Sequence, residues 1–371
     1  MKGDGAGRVF YEIVRAAARR DHHVTLFAEK IDDDLRDLQS VSTVRIPTDR
    51  IPTQLARTFA FSSKSTGRIR KSLERPDVLQ SNGFATSARA DVVAAHFVLD
   101  AWLRTCVSRE NGVGSFRGAY QELLARVVSR SETRAFRKAR AVVAVSHRVG
   151  DELAAIGVAR KRIRVIPNAV DTEQFAPRDV DRERLGLPAG VPLVLFAGDI
   201  ATPRKNLDVV LGALALRPSL HLAIVGGGQS KRHRYEKEID ALGLRSRIHM
   251  LGLRHGDYAE IVCAADAFVL PSHYEPFGLV VLEAMASGVP TIVSREVGAS
   301  EAIRPGSGIV LEDRNDPKCL AAAFDRIFED PEEARRMGAA GRAVALEHTW
   351  VGAANRYVDL YEELAAAPEI P

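Results

Sequence analysis

The chain has 371 residues, 46% hydrophobic and 27% charged, an ordinary globular composition and a length that suits two domains. No run approaches 18 apolar residues, and the opening MKGDGAGRVF lacks a signal-peptide core, which argues against a membrane-spanning or secreted protein. The net charge of +4 hides an asymmetry: residues 1–168 hold 30 Lys and Arg against 18 Asp and Glu, a balance of +12, which leaves −8 for residues 169–371. Halves of opposite sign imply different partners. Cys106, Cys263 and Cys319 are isolated, with no zinc or redox spacing, and fit a reducing, cytoplasmic compartment.

In chain order, Gly3, Gly5 and Gly7 predict a loop, followed by a helix with Val9, Phe10, Ile13, Val14 and Ala17 on one face. A strand is expected at 24–28. The strand that should precede a glycine loop in an α/β unit is absent, so a native start upstream, or lowered stability, is expected. Further strands are predicted at 78–81, 92–96, 142–146 and 163–167, short apolar runs that indicate a parallel sheet covered on both faces. His96 ends one of them, where ligands collect in open α/β sheets. Two basic segments stand out. Arg57, Lys64, Arg68, Arg70, Lys71 and Arg75 are interleaved with Phe59, Phe61, Ile69 and Leu73, and opposed only by Glu74. Arg126, Arg130, Arg134 and Arg137 recur at helical spacing, with Lys138 and Arg140 beside them. A solvated face, an anionic membrane surface and nucleic acid are all compatible with such segments.

The segment 165–177 breaks regular structure with two prolines and marks a domain connection. A second α/β unit opens with a strand at 193–197 and the loop GDIATPRKN, which leads into a helix from Leu207. Arg204 and Lys205, just before that helix, are placed to neutralise a diphosphate leaving group. A strand at 221–225 runs into Gly226-Gly227-Gly228, which is not a dinucleotide fingerprint. Strands at 248–251, 267–270, 291–294 and 309–311 follow, then helices at 317–329, 331–346 and 350–366. The acidic runs 32–34 and 179–181 lie in a loop and a linker and do not read as metal sites, so a metal-independent protein without a cofactor is expected.

The run LPSHYEPFGLVVLEAMASGVP, residues 270–290, is where the chemistry concentrates. A strand end breaks at Pro271, and a helix begins after Pro276, Phe277 and Gly278 and stops at Gly288 and Pro290. The N–H groups of Gly278 and Leu279 can hold a phosphate at the helix start. Gly278 to Glu283 spans roughly 7–8 Å, about the distance from a phosphate to the ribose of the same nucleotide. Glu283 can therefore accept from ribose hydroxyls, and Glu275 from hydroxyls beyond the phosphate. Glu283 also lies between Leu282 and Ala284, where an unpartnered charge is costly.

The run EPFGLVVLEAMASGVP resembles the E-x7-E signature of the family-4 glycosyltransferases, retaining enzymes of the GT-B fold. The likeness is specific over the second half and looser over the first. It implies two Rossmann-like α/β domains facing across a cleft: residues 1–170 with 350–371 on the acceptor side, and 171–349 binding the nucleotide sugar. It makes the last helix one that crosses back to the first domain. It implies sugar transfer from a nucleoside diphosphate to an acceptor with retention of configuration, in glycan or glycolipid synthesis. By the same likeness, the loop around Gly5 approaches the donor pyrophosphate, and Asp4 stands where a glycine is more usual. His96 and Glu275 would contact the sugar as catalytic residues. Arg204, Lys205, Phe277, Gly278, Leu279 and Glu283 would hold the donor, and Gly252 would lie near the base. Many relatives carry an arginine after the loop glycine; here Asp199 stands there, and Arg204–Lys205 would supply both charges. The basic first half, above all residues 57–75, points to a lipid-linked acceptor and a peripheral enzyme at the cytoplasmic face of an anionic membrane. A sugar-nucleotide epimerase of the same fold, or a non-enzymatic nucleotide- or nucleic-acid-binding α/β protein, are the competing readings.

Overall fold

The computed structural model describes residues 5–51, 53–72, 75–105, 116–201, 203–227, 233–254 and 256–367. The chain divides into two units, residues 1–168 with 350–371, and residues 169–349.

In the first unit, α1 (Gly5–Arg19) buries Val9, Ile13, Val14, Ala16 and Ala17 along one face, as the 3.6-residue period requires. Gly5 and Gly7 lie in its first turn, not in a loop; Gly3 and Asp4 are outside the described residues. Strands β1 (Val24–Ala28) and β2 (Val41–Arg45) pair in parallel as a separate two-stranded sheet. Tyr11, Val14, Ile31, Leu35 and Val41 form the apolar cluster between this ribbon and α1. The expected single sheet is therefore divided. Strands β3 (Gln80–Asn82), β4 (Val92–Ala95), β5 (Ala141–Ala144) and β6 (Ile163–Val165) make a parallel sheet in that order, and no described strand joins β1 to it. Strands β4 and β5 are buried at every residue, which explains their unbroken apolar sequence.

Helices α2 (Asp33–Arg36), α3 (Gln54–Lys71), α4 (Leu99–Arg104), α5 (Phe116–Lys138) and α6 (His147–Ala155) complete this part of the chain. Two of the cations expected to line a docking surface on α3 are engaged internally. Arg57 donates to the Ile51 carbonyl at 2.6 Å, and Lys64 donates to that of Pro47 at 2.7 Å, fixing the preceding loop to the helix. Phe59 packs edge-on against Phe84, 5.9 Å between ring centres. Leu73 and Glu74 lie outside the described residues. The last helix, α13 (Trp350–Ala366), returns to this unit and packs on α1; its Tyr361 hydroxyl donates to Gln80, and Arg140 donates to the Leu364 carbonyl at 2.8 Å.

The second unit is built on one six-stranded parallel sheet. Its strands are β7 (Leu193–Ala197), β8 (His221–Val225), β9 (Ile248–Gly252), β10 (Ala267–Leu270), β11 (Thr291–Ser294) and β12 (Ile309–Leu311), in the order β12-β11-β10-β7-β8-β9. Helices α7 (Leu207–Ala215), α8 (His233–Ala241), α9 (Tyr258–Cys263), α10 (Leu279–Ala286), α11 (Pro317–Phe328) and α12 (Pro331–Leu346) connect or flank them. Strand β7 neighbours β8 on one side and β10 on the other, so the order in which the strands are laid down reverses there. Loops leaving the carboxyl ends of β7 and β10 border a crevice at this point, of the kind in which α/β sheets bind ligands. No described helix is long and apolar enough to cross a membrane.

Candidate donor-binding site of the second unit

Three glycines close the floor of that crevice. Gly198, Gly226 and Gly252 follow or end β7, β8 and β9; the Gly198 N–H donates to Val225 O at 2.9 Å and that of Gly226 to Gly252 O at 2.8 Å. A side chain on Gly226 would stand 2.1 Å from the Gly198 carbonyl oxygen, so the backbones can meet only here without a Cβ. Above them opens a pocket of about 340 Å³ lined by Gly198, Asp199, Gly227, Leu253, Arg254 and Tyr258, among others.

The carboxylate loop after β10 forms the adjoining wall. It is held by backbone bonds to the loop after β11: Glu275 N–H to Glu296 O at 3.1 Å, Gly298 N–H to Glu275 O at 2.9 Å and Ala299 N–H to Phe277 O at 2.7 Å. Gly298 permits this approach, since a Cβ there would lie 2.0 Å from the Pro276 carbonyl oxygen. Gly278 adopts φ +90°, the left-handed conformation that starts α10 and aims its first amides outward. The His273 N–H donates to Arg204 O at 2.9 Å, which ties this loop to the one after β7.

Arg204, Lys205 and Glu275, 70 residues apart in sequence, meet at one point. The Arg204 guanidinium donates to Glu275 Oε2 at 3.0 Å and to the Tyr274 carbonyl at 3.1 Å, and the Lys205 ammonium donates to the same Glu275 oxygen. Lys205 is only 7% exposed. Burial lowers its pKa, with Glu275 opposing that shift and Arg204 adding to it. Burial alone would raise the Glu275 carboxyl; Lys205 and Arg204 together outweigh it and hold the group below the usual carboxylate range.

Glu283 lies within α10, half-buried, and accepts from the Tyr258 hydroxyl at 3.2 Å. Burial pushes its carboxyl up to about 7, with the Tyr258 bond opposing the shift. Tyr258 also lines the pocket, so it connects the pocket wall to Glu283. The sequence reading missed Tyr258 and Arg254: they lie on α9 and just after β9, and no spacing relates either to α10. Asp199, which takes the position expected of an arginine, turns back to accept from Ala201 N–H at 2.9 Å.

The remaining expected site residues lie in the first unit. His96 follows the carboxyl end of β4 and meets Phe10 edge-on, 5.9 Å between ring centres. Gly5 starts α1.

The chain is similar over most of its length to known proteins. The Glycosyltransferase Family 4 model matches residues 3–174, and the Glycosyl transferases group 1 model matches residues 177–344. A D-inositol 3-phosphate glycosyltransferase of Xylanimonas cellulosilytica is 28% identical over 97% of this chain and 92% of its own. Further curated relatives, 31–35% identical, are matched over about half of their own length, 47–52%. Among solved structures, sucrose-phosphate synthase of Thermosynechococcus elongatus superposes with a TM-score of 0.81 at 24% identity, covering 98% of this chain and 94% of that one. HepE of Anabaena, in complex with UDP and glucose, does so with a TM-score of 0.71 at 21% identity, covering 98% and 97%. These likenesses agree with the parallel sheets described above in assigning the GT-B fold. Its two halves are matched in turn by these two domain models, and the chain is similar to the family-4 glycosyltransferases over both.

Proposed function

We propose that the protein transfers a sugar from a nucleoside diphosphate sugar to an acceptor, with retention of anomeric configuration. The observation that carries this reading is the convergence of Arg204, Lys205 and Glu275 at the reversal point of the strand order, beside the pocket lined by Tyr258, whose hydroxyl donates to Glu283. In this reading the nucleoside occupies that pocket, with Glu283 accepting from the ribose. Leaving of the diphosphate builds negative charge on its bridging oxygen, and Arg204 and Lys205 counter it without solvent reorganisation. The amides of Gly278 and Leu279 add helix-terminal donors to the phosphate, beside Phe277. Glu275, fixed in position by the two cations and by the 296–299 loop, faces the sugar. Two protein cations already meet the charge of the leaving group, so no metal ion is required. Retention rests on the likeness to the family.

The acceptor is a glycan or a lipid-linked molecule handled by the basic first unit, with the reaction in the cytoplasm and the enzyme peripheral to its membrane. A second reading is a small phosphorylated acceptor. It is favoured by the full-length likeness to a D-inositol 3-phosphate glycosyltransferase and the fold likeness to sucrose-phosphate synthase. Thermal shift across UDP-, GDP- and ADP-sugars tests the donor, since a ligand at 100 times its dissociation constant adds about 2.7 kcal/mol. Product formation from the stabilising donor, with phosphorylated polyols and lipid-linked glycans offered in parallel, then separates the acceptors. Slow hydrolysis or epimerisation of the donor with no transfer to either class would remove the proposal.

A further inference from the structure

The loop after β12 reaches further across the sheet of the second unit than its place at the edge suggests. Arg314, in that loop, is half-buried and bonds to three other loops. Its Nη1 donates to Glu296 Oε1 at 2.7 Å, and its Nε donates to His273 Nδ1 at 3.3 Å. Its own carbonyl accepts from the Asn206 side-chain amide at 2.7 Å. Glu296 follows β11, His273 follows β10, and Asn206 lies in the loop after β7. The four loops leave the carboxyl ends of neighbouring strands, in the order β12-β11-β10-β7.

Each of these contacts stands one step from a residue of the donor site. The Glu296 carbonyl accepts the Glu275 N–H at 3.1 Å, and the His273 N–H donates to Arg204 O at 2.9 Å. Asn206 directly follows Lys205, is only 5% exposed and adopts φ +57°, in the left-handed region. Its N–H closes the turn Pro203–Lys205 by donating to Pro203 O at 2.9 Å, which leaves its side chain for Arg314. An arginine suits this place because its planar guanidinium presents several donors at fixed angles, which a lysine ammonium does not. A plain surface ion pair with Glu296 would be the simpler account, and such pairs contribute little. It explains neither the imidazole bond nor the amide bond. Arg326 and Glu333, at 2.8 Å, are a pair of that plain kind and join α11 to α12.

We propose that Arg314 is a positioning residue of the donor site, holding Glu275 in register with Arg204 and Lys205 through Glu296, His273 and Asn206. Its effect on sugar transfer rests on the function proposed above, and in that reading it touches no atom of the donor. A displacement of about 1 Å at a reacting group can cost about a hundredfold in rate, so a brace at this distance can matter to turnover. The pocket assigned to the nucleoside is lined from the ends of β7, β8 and β9, on the other side of β7 from the brace. Loss of Arg314 should therefore damage turnover and spare nucleotide affinity.

Hydrogen exchange and kinetics on Arg314→Ala and Arg314→Lys test this. In Arg314→Ala the amides of His273, Glu275 and Gly298 should exchange about tenfold faster, while those of β7 and β8 stay as in wild type. The kcat for the sugar nucleotide should fall about ten- to a hundredfold, with affinity for free UDP or GDP changed less than about threefold. Arg314→Lys should recover part of both losses through its bond to Glu296. In a Glu275→Ala background, Arg314→Ala should add little further loss of turnover, because it acts largely through that carboxylate. Arg326→Ala should match wild type in both measurements. If Arg314→Ala does not fold, Arg314→Lys carries the test, with smaller changes of the same kind expected. The proposal is overturned if exchange at those amides is unchanged, if kcat stays within about threefold of wild type, or if the losses of Arg314→Ala and Glu275→Ala multiply. A wild type that turns over no sugar nucleotide would instead remove the function proposed above, and exchange alone would then decide whether Arg314 holds the loops in register.

Discussion

Lys205 and Glu275 form a buried ion pair at the carboxyl ends of β7 and β10, and Arg204 approaches the same carboxylate oxygen at 3.0 Å. Removing either charge leaves the other poorly compensated, which costs about 3–5 kcal/mol in buried pairs. Lys205→Ala and Glu275→Ala are each expected to lower the stability of the second unit by an amount in that range. The double variant should lose less than the sum, by about 1–3 kcal/mol. Chemical denaturation of the four proteins of the cycle measures this, and strictly additive losses would show that the pair is not coupled.

The two glutamates of the donor loop and helix should separate cleanly in binding. Glu283→Ala is expected to weaken free nucleoside diphosphate by about 1.5–3 kcal/mol, and Tyr258→Phe by about 1 kcal/mol. Glu275→Ala should leave that affinity nearly intact and reduce turnover of the sugar nucleotide. Isothermal calorimetry with UDP and GDP provides the comparison. Equal affinity for wild type and Glu283→Ala would remove Glu283 from the ribose.

Two buried carboxyls predict a pH dependence of stability. Glu283 in α10 and Glu132 in α5 both titrate near 7, each raised chiefly by burial, against about 4.5 when free. Between those values the folded state holds protons that the unfolded chain has released. Their contribution to stability is therefore greatest below about pH 4.5 and is lost as pH rises toward 7, by up to about 1.4 kcal/mol per pH unit for each group. Glu132→Gln and Glu283→Gln should each become more stable relative to wild type as pH goes from 5 to 7.5. Parallel melting curves at every pH would contradict this.

Gly226 permits the contact between strands β7 and β8 beneath the pocket. Its φ of +121° disfavours a side chain, and the Gly198 oxygen occupies the Cβ position. Gly226→Ala should cost about 2–4 kcal/mol from overpacking and backbone strain together, and should abolish donor binding. Gly243→Ala, at φ +65° but with open space around it, isolates the strain part and should cost less. Thermal melts of both variants distinguish the two terms.

The second unit was largely legible because its strands are buried on both faces and read as unbroken apolar runs such as Leu193–Ala197 and Ala267–Leu270. The turn residues Gly278, Gly288 and Pro290 located α10 for the same local reason. What local sequence does not encode is contact between distant segments. Nothing in the spacing of Arg204, Lys205 and Glu275 required them to meet, and the Tyr258 hydroxyl reaches Glu283 from a different helix. The first unit was harder. Strand β2 has exposed positions and no strong pattern, and the separation of β1 and β2 from the remaining sheet depends on which strands pair, which composition does not state. The basic segments were visible, but not that Arg57 and Lys64 are bonded to the carbonyls of Ile51 and Pro47, contacts between segments that local sequence does not state.

The return of α13 to the first unit makes that unit discontinuous, with residues 169–349 inserted between its two pieces. During synthesis the second unit can close its sheet as soon as Thr349 has left the ribosome. The first unit must wait for the last helix, long after its own strands end at Val165, because Tyr361 and the Leu364 carbonyl, the partners of Gln80 and Arg140, emerge last. Pulse proteolysis of stalled nascent chains should find the second unit protected before the first. The half of the protein made first is therefore the last to be finished, and until then the face of α1 that α13 covers stays open to chaperones and proteases.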